Sequence, residues 1–441
     1  MNTHTHAAAE AAVTRAIDAF NHWRADAMSH LDTALAADPD SPRAHTVKGL
    51  FLATGRNRRY QGMIDASLAA ARRGEHALDA RERGYVRALD ALAHGCLTEA
   101  VTHYEDILAH KPDDLFAHRL IQQELFWMGE ARWMADVAQA AAPAWSHDDP
   151  DYPGFLAVRG FSLEEAGERE LAERCAREAV ARDPGECWGA HAVAHVLEMQ
   201  GRVDEGIAWL EGLSGNWAGG NQIVHHLWWH LCLFLLERGA HEHILELLDR
   251  EVRNPESALV QAMPDAYIDI QNVASLLLRL ELRGVDVGER WHSVAEVAAQ
   301  RTGNHASPFT DAHAAMILAA VGDVDGAEAL VQSMDDFSAS PASGTLGPRY
   351  RNAAIPAARA AIAHRRGDHA GVAHALLPAR RALWQMGGSH AQRDVFWQIL
   401  VDSLQRLGLR PRLAGILGEI RAVPFAELDH RSLYRDAVAA Q

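Results

Sequence analysis

Apolar residues recur at helical spacing from Ala7 onward, with Ala, Leu, Glu and Arg filling the positions between them. No run alternates with the period of two that a half-buried strand requires, so the chain is expected to be all-α. Proline phrases punctuate it. Asp38-Pro39-Asp40, Lys111-Pro112-Asp113 and Asp183-Pro184-Gly185 set their prolines 73 and 72 residues apart, two periods of a helix-pair repeat of about 34 residues with small insertions. After each phrase a helix runs to a glycine, at Gly55, Gly129 and Gly201, the residue that most easily takes the left-handed turn a helix end needs. The same rhythm of inner helix, glycine and outer helix returns around Gly239, Gly322 and Gly367, giving roughly six or seven pairs.

Such units stack, and a stack can grow without a single core, so 441 residues need not split into separate globular domains. The expected architecture is an all-α, tetratricopeptide-like right-handed helical-repeat solenoid, strongly curled. It covers residues 31–441, with residues 1–30 as one capping helix and the tail from Pro411 as a C-terminal cap. The Ser, Gly and Pro content of Ser338 to Gly347 reads as a passive linker, or else as a cover over one end of the hollow.

In a stack of this kind the first helix of each pair faces the concave side, and residues about ten before the closing glycine should line the hollow. That rule selects His45, His118, His191 and Asp311, with His226 and His230 in the same zone. The centre of the chain, Trp188 to Gly239, therefore carries two inner helices with polar stripes. His191, His195 and Glu198 share one helical face, and His226, Trp229 and His230 mark the next helix, while His225 points elsewhere and reads as structural. Asp265, Asp269 and Asn272 repeat the spacing on the following inner helix, and Asp269 lies deeper than Asp265.

Imidazoles beside carboxylates form an acid–base set that titrates near neutral pH. His191, His195, His226, His230 and Asp269 are the candidate catalytic residues. Glu198, Trp229, Asp311, His313, Gln392, Arg393 and Asp394 are the candidate substrate contacts, although Asp311 and His313 stand about 200° apart on a helix and cannot both face the hollow. Ser389 and Gln392 form a capping box. Arg393 then remains as a cation in a first turn, which calls for an anionic ligand or an acid such as Asp394. His-x3-His spacing fits a metal, yet the chain has 26 histidines, no HExxH and no cysteine a turn away. The expectation is no metal and no cofactor, with zinc as the alternative ion.

Composition removes partners. A formal charge of −17 repels phosphate backbones and anionic lipid, so neither nucleic acid nor membrane is expected. The four cysteines form no CxxC, no apolar run spans a bilayer, and the start MNTHTHAAAE has no leader character, which together point to the cytoplasm. Nothing in the pattern excludes a homodimer.

Five separated segments resemble the tetratricopeptide repeat protein 38 family: HAVAHVLEMQGR from His191, His226 with Trp229-His230, LLLRLELRGVDVGERW from Leu276, FTDAHAAM from Phe309 and GGSHAQRDVF from Gly387. The resemblance runs from about Ala36 to Leu407 and implies a helical-repeat fold throughout. His191, His195, Glu198, His226, Trp229, His230, Asp269, Asp311, His313, Gln392, Arg393 and Asp394 match the family's motif positions. The chain departs from the pattern at Gln122-Gln123, where the family tends to carry His-Asp, and at His390, where it carries Asn. The polar set favours a pocket for a small polar or anionic metabolite, with hydrolase or lyase chemistry by His and Asp. The alternative is a non-catalytic scaffold gripping a peptide on its concave face. A closed hollow would favour the first and a long open one the second.

Overall fold

The computed structural model describes residues 3–422 and 430–439, and among these every regular element is a helix or helical turn, apart from one isolated bridge between Arg24 and Gly220. Ten inner helices succeed one another: Pro42–Thr54, Ala80–Ala93, Leu115–Met128, Tyr152–Glu165, Cys187–Met199, Ile223–Arg238, Tyr267–Glu281, Pro308–Ala320, Ile355–Arg365 and His390–Arg406. Each is followed by an outer helix or a broken series of helical turns packed against it. The fold is the expected all-α, tetratricopeptide-like helical-repeat solenoid.

The expected pair number was low because several inner helices begin without a Pro-Asp phrase. Ala80–Ala93, for example, starts at a capping box in which Asp79 and Glu82 serve each other's backbone N–H. Residues 1–30 are not one helix either. Thr3–Asn21 and Ala27–Ala37 form a hairpin, turned at Trp23 with φ +56°. The turn is stapled to the loop before Ile223: Asn221 N–H donates to the Trp23 carbonyl (2.7 Å) and Ala25 N–H to that of Gly219 (3.0 Å).

Gly129 and Gly239 close their helices in the left-handed region, as expected, but Gly55 stays right-handed and the positive φ passes to Arg56. The helix Ser432–Ala439 packs with Tyr434 and Ala437 buried.

The curl goes to closure. Asn57 donates to Asp265 (2.6 Å), Arg59 pairs with Asp265 (2.7 Å), and Asn304 donates to Asn57 (2.6 Å), which joins the first hairpin of the stack to the seventh and eighth. Ser338 to Gly347 is a seam rather than a linker, since Thr345 N–H donates to the Gly95 carbonyl and its hydroxyl accepts from Leu97 N–H. Arg349 reaches Glu130 at 2.9 Å. These contacts join the first three hairpins of the stack to the seventh, eighth and ninth, and no helix among the described residues is long and apolar enough to cross a membrane.

Candidate functional site

Two adjacent inner helices supply the centre. Cys187–Met199 begins where the Glu186 side chain accepts the Trp188 N–H (3.0 Å), and Ile223–Arg238 is buried along nearly its whole length. Four imidazoles meet between them. His191, His195, His226 and His230 are all at most 3% exposed, and the His191 and His195 Nε2 atoms lie 3.0 Å apart. The second nitrogen of three rings has an outer partner: His226 Nδ1 meets Asn272 Oδ1 at 2.8 Å, His230 Nδ1 meets Glu198 Oε2 at 3.2 Å, and His195 Nδ1 lies 3.2 Å from Glu164. Trp229 stacks on His226 and donates to Ser275, so it is a wall of the cluster.

Behind His195 lies a carboxyl pair that the sequence reading missed. Glu164 and Glu165 end the helix Tyr152–Glu165, where the helix dipole disfavours acids, and that misplaced charge is the signal that could have revealed them. Glu165 accepts the His390 N–H (3.3 Å) and faces Arg393 at 3.9 Å. Burial, reinforced by Glu198, pushes the Glu164 carboxyl up to about 8, and burial with the charge of Glu164 pushes Glu165 up to about 7. Burial holds all four imidazoles below the ordinary histidine value, well below it for His191, His226 and His230, and neighbouring imidazoles add to this at those three. At neutral pH the imidazoles are therefore uncharged bases beside carboxyls that can still carry a proton.

The other candidates separate. Asp269 is fully buried but bonds His225 (2.8 Å) and faces Arg253 (3.7 Å), so it belongs to a structural pair away from the four-histidine cluster. Asp311 serves Tyr350 (2.7 Å), His305 (2.9 Å) and Arg301 (3.3 Å) in another buried knot, not the hollow. His313 donates from Nδ1 to the Phe309 carbonyl (2.8 Å) between Phe309 and Phe396. His45 and His118 likewise reach back to the carbonyls of Pro39 and Pro112, tying each inner helix to its own proline loop. Arg393 does not pair with Asp394. It faces Glu165 and donates to the carbonyl of Gly388, whereas Asp394 takes Arg431 (2.6 Å), Tyr434 (2.5 Å) and Gln398 (2.6 Å). Burial alone would raise the Asp394 carboxyl, but the guanidiniums of Arg431 and Arg279 overcome it and hold the group below its ordinary value. Arg431 also reaches Glu198 at 3.4 Å, which anchors the C-terminal cap behind the histidines.

One route leads in. A cleft of ≈ 360 Å³, lined by Trp23, Arg119, Gln123 and Tyr267 among others, adjoins a small pocket of ≈ 40 Å³ whose walls include Trp23, Gln122, Trp188, His191, His226 and Gln392. The pocket ends on two of the four histidines. Trp23 stacks on Trp188 at 4.5 Å and forms part of both chambers. Arg119 is 2% exposed; one nitrogen meets Glu186 at 3.3 Å, while Nε and Nη1 have no hydrogen-bond partner. Unpaired buried donors are costly, and these two nitrogens are closed off from solvent as well as unpaired.

No family model matches the chain. Among solved structures it is similar to a human IFIT1 dimer with m7Gppp-AAAA, with 13% identity and a TM-score of 0.45, covering 98% of this chain and 94% of that one. It is also similar to the P58(IPK) TPR domain, with 15% identity and a TM-score of 0.21 over 74% of this chain and 89% of that one. A third likeness is to Naa15/Naa10 bound to HypK-THB, with 12% identity and a TM-score of 0.26 over 98% and 66%.

Proposed function

We propose that the chain binds a small polar or anionic metabolite in the cleft and acts on it as a hydrolase or lyase through imidazole and carboxyl acid–base chemistry. The observation that carries this is the pair of chambers: a cleft with Arg119 in its lining, adjoining a small pocket with His191 and His226 in its walls. The closure seam leaves little room for an extended peptide along the concave face, which weighs against the scaffold reading.

In the proposed division of labour, Arg119 holds the anionic group and Trp23 with Trp188 packs against the body of the ligand. His191 and His226 meet the reacting atoms as neutral bases. Glu164 and Glu165, raised toward neutrality, supply the acid through His195. Glu198 and Arg431 orient His230 from behind. Arg393 and Gln392 position Glu165 and the glycine turn beside the pocket, and Asp269, Asp311 and His313 carry fold rather than chemistry.

The motifs at His191, His226, Leu276, Phe309 and Gly387 support kinship with the tetratricopeptide repeat protein 38 family. Gln122 and Gln123, where the chain departs from that pattern, lie in the pocket wall and so favour a ligand of its own. The four free thiols support a reducing compartment, the cytoplasm. Mass measurement of the intact protein after exposure to a metabolite extract tests the proposal. A noncovalent small-molecule adduct supports it, and adducts of peptides alone support the scaffold instead.

A further inference from the structure

We propose that His191, His195, His226 and His230 form the binding site of one divalent first-row transition-metal ion, held mid-stack with an open side toward the cleft. The chain contains two His-x3-His pairs, and both are here, on neighbouring inner helices that face each other. Five of the six pairs of ring centres lie between 4.4 and 4.9 Å apart, and one ring nitrogen from each residue lies within 4.8 Å of the others. Four imidazole nitrogens about 2.1 Å from a tetrahedral ion would stand roughly 3.4 Å from one another. A contraction from 4.8 Å, at most about 1.4 Å at the widest pair, would reach that.

The surroundings are those of a metal centre. Asn272 and Glu198 bond Nδ1 of His226 and His230, and Glu164 lies 3.2 Å from Nδ1 of His195, which leaves Nε2 of these rings for the centre. Outer carboxylate and amide oxygens that fix the ring tautomer in this way are what ligating histidines characteristically carry. Unsatisfied atoms also collect here: His191 Nδ1 and His230 Nε2 are buried without a hydrogen-bond partner. Buried polar atoms in native folds are nearly always paired, so a knot of orphans in one place marks a missing charge. Neutral nitrogen donors select iron, cobalt, nickel, copper or zinc and disfavour magnesium or calcium, which want oxygen.

The sequence expectation of no metal weighed each histidine pair on its own helix. Two pairs facing each other are a geometry that spacing within one helix cannot reveal. The open side is set by exposure to the pocket, since His191 and His226 line it, so a water or a ligand oxygen would join there as a fifth ligand. The inference deepens the proposed function, resting on it only for the role of the ion: with metal bound, the imidazoles become ligands and the base is Glu164 or Glu165. The ion itself is independent of any metabolite.

The test uses untagged full-length protein, its metal content measured as purified and again after chelation and reloading with Co2+ or Cu2+. About one equivalent per chain is expected, falling roughly tenfold or more in His195→Gln and His230→Gln while His369→Gln keeps it. That control matters because His364, His369 and Asp402 form a partly exposed cluster of their own. Metal lost in His369→Gln but kept in the other two overturns the inference, as does wild-type protein that takes up neither ion and shows no visible Co2+ band. Should the buried variants fail to fold, the wild-type Cu2+ spectrum decides. Electron paramagnetic resonance splitting from several nitrogens supports the site, and an oxygen-dominated signal overturns it. Protein that binds no metal yet binds a small anion retires this inference and leaves the pocket standing.

Discussion

Gly129 and Gly239 offer a matched pair of substitutions that isolates the closure of the stack. Each follows the last turn of an inner helix in the left-handed region, at φ +76° and +69°, and each returns its N–H to the helix, Gly129 to Leu125 and Phe126, Gly239 to Leu235 and Leu236. They differ in what lies beyond. A Cβ at Gly239 meets nothing within 4 Å, whereas at Gly129 it collides with the backbone carbonyl of Trp384, across the seam where the stack closes. Gly239→Ala should therefore cost only the left-handed strain, about 1–2 kcal/mol. Gly129→Ala should cost that strain plus about 1–3 kcal/mol of overpacking against backbone that cannot swing aside. Urea unfolding followed by the fluorescence of the 12 tryptophans would measure both. Small-angle scattering should show the Gly129 variant alone expanded. Equal costs, with unchanged dimensions for both, would refute the closed seam.

Two further substitutions probe the buried network. His313 is held down to about 4 by burial, so it stays neutral in the fold but gains a proton below about 6.5 when unfolded. Its contribution is whole above that pH and is lost as pH falls toward 4, by roughly 3 kcal/mol across the window; His313→Phe should flatten this part of the urea midpoint's pH profile, and an unchanged profile would show that the ring titrates normally. Asp394→Asn removes the charge that Arg431 and Tyr434 share at 2.6 and 2.5 Å, and should cost about 3–5 kcal/mol in urea unfolding while exposing the helix Ser432–Ala439 to protease. Wild-type cleavage rates would sink that account of the cap.

What could be read from the sequence was whatever repeats locally. The glycine-closed helices and the i, i+4 pairs His191/His195 and His226/His230 carry their own spacing, so the fold and half of the centre were visible. The rest depends on closure. Asp269 has the right spacing, but His225, set aside as structural, captures it from the neighbouring helix. Arg393 was recognised as needing an acid, yet its partner Glu165 is more than two hundred residues earlier, and the only local sign of it is an acid pair at a helix end, where the dipole disfavours acids. Arg119 and Trp23 gave no signal. The first is buried by its pairing with Glu186, and the second takes a left-handed turn that no glycine announces.

The central claim, that the closed hollow holds a small anionic ligand gripped by Arg119, is tested most directly by native mass spectrometry of wild-type and Arg119→Gln protein after incubation with a metabolite extract and with a peptide digest. Wild type should gain one small-molecule adduct per chain from the extract and none from the digest, and the adduct should be lost in the variant while the variant's circular dichroism matches wild type. Adducts that persist in Arg119→Gln, or that come only from the peptide digest, would contradict it.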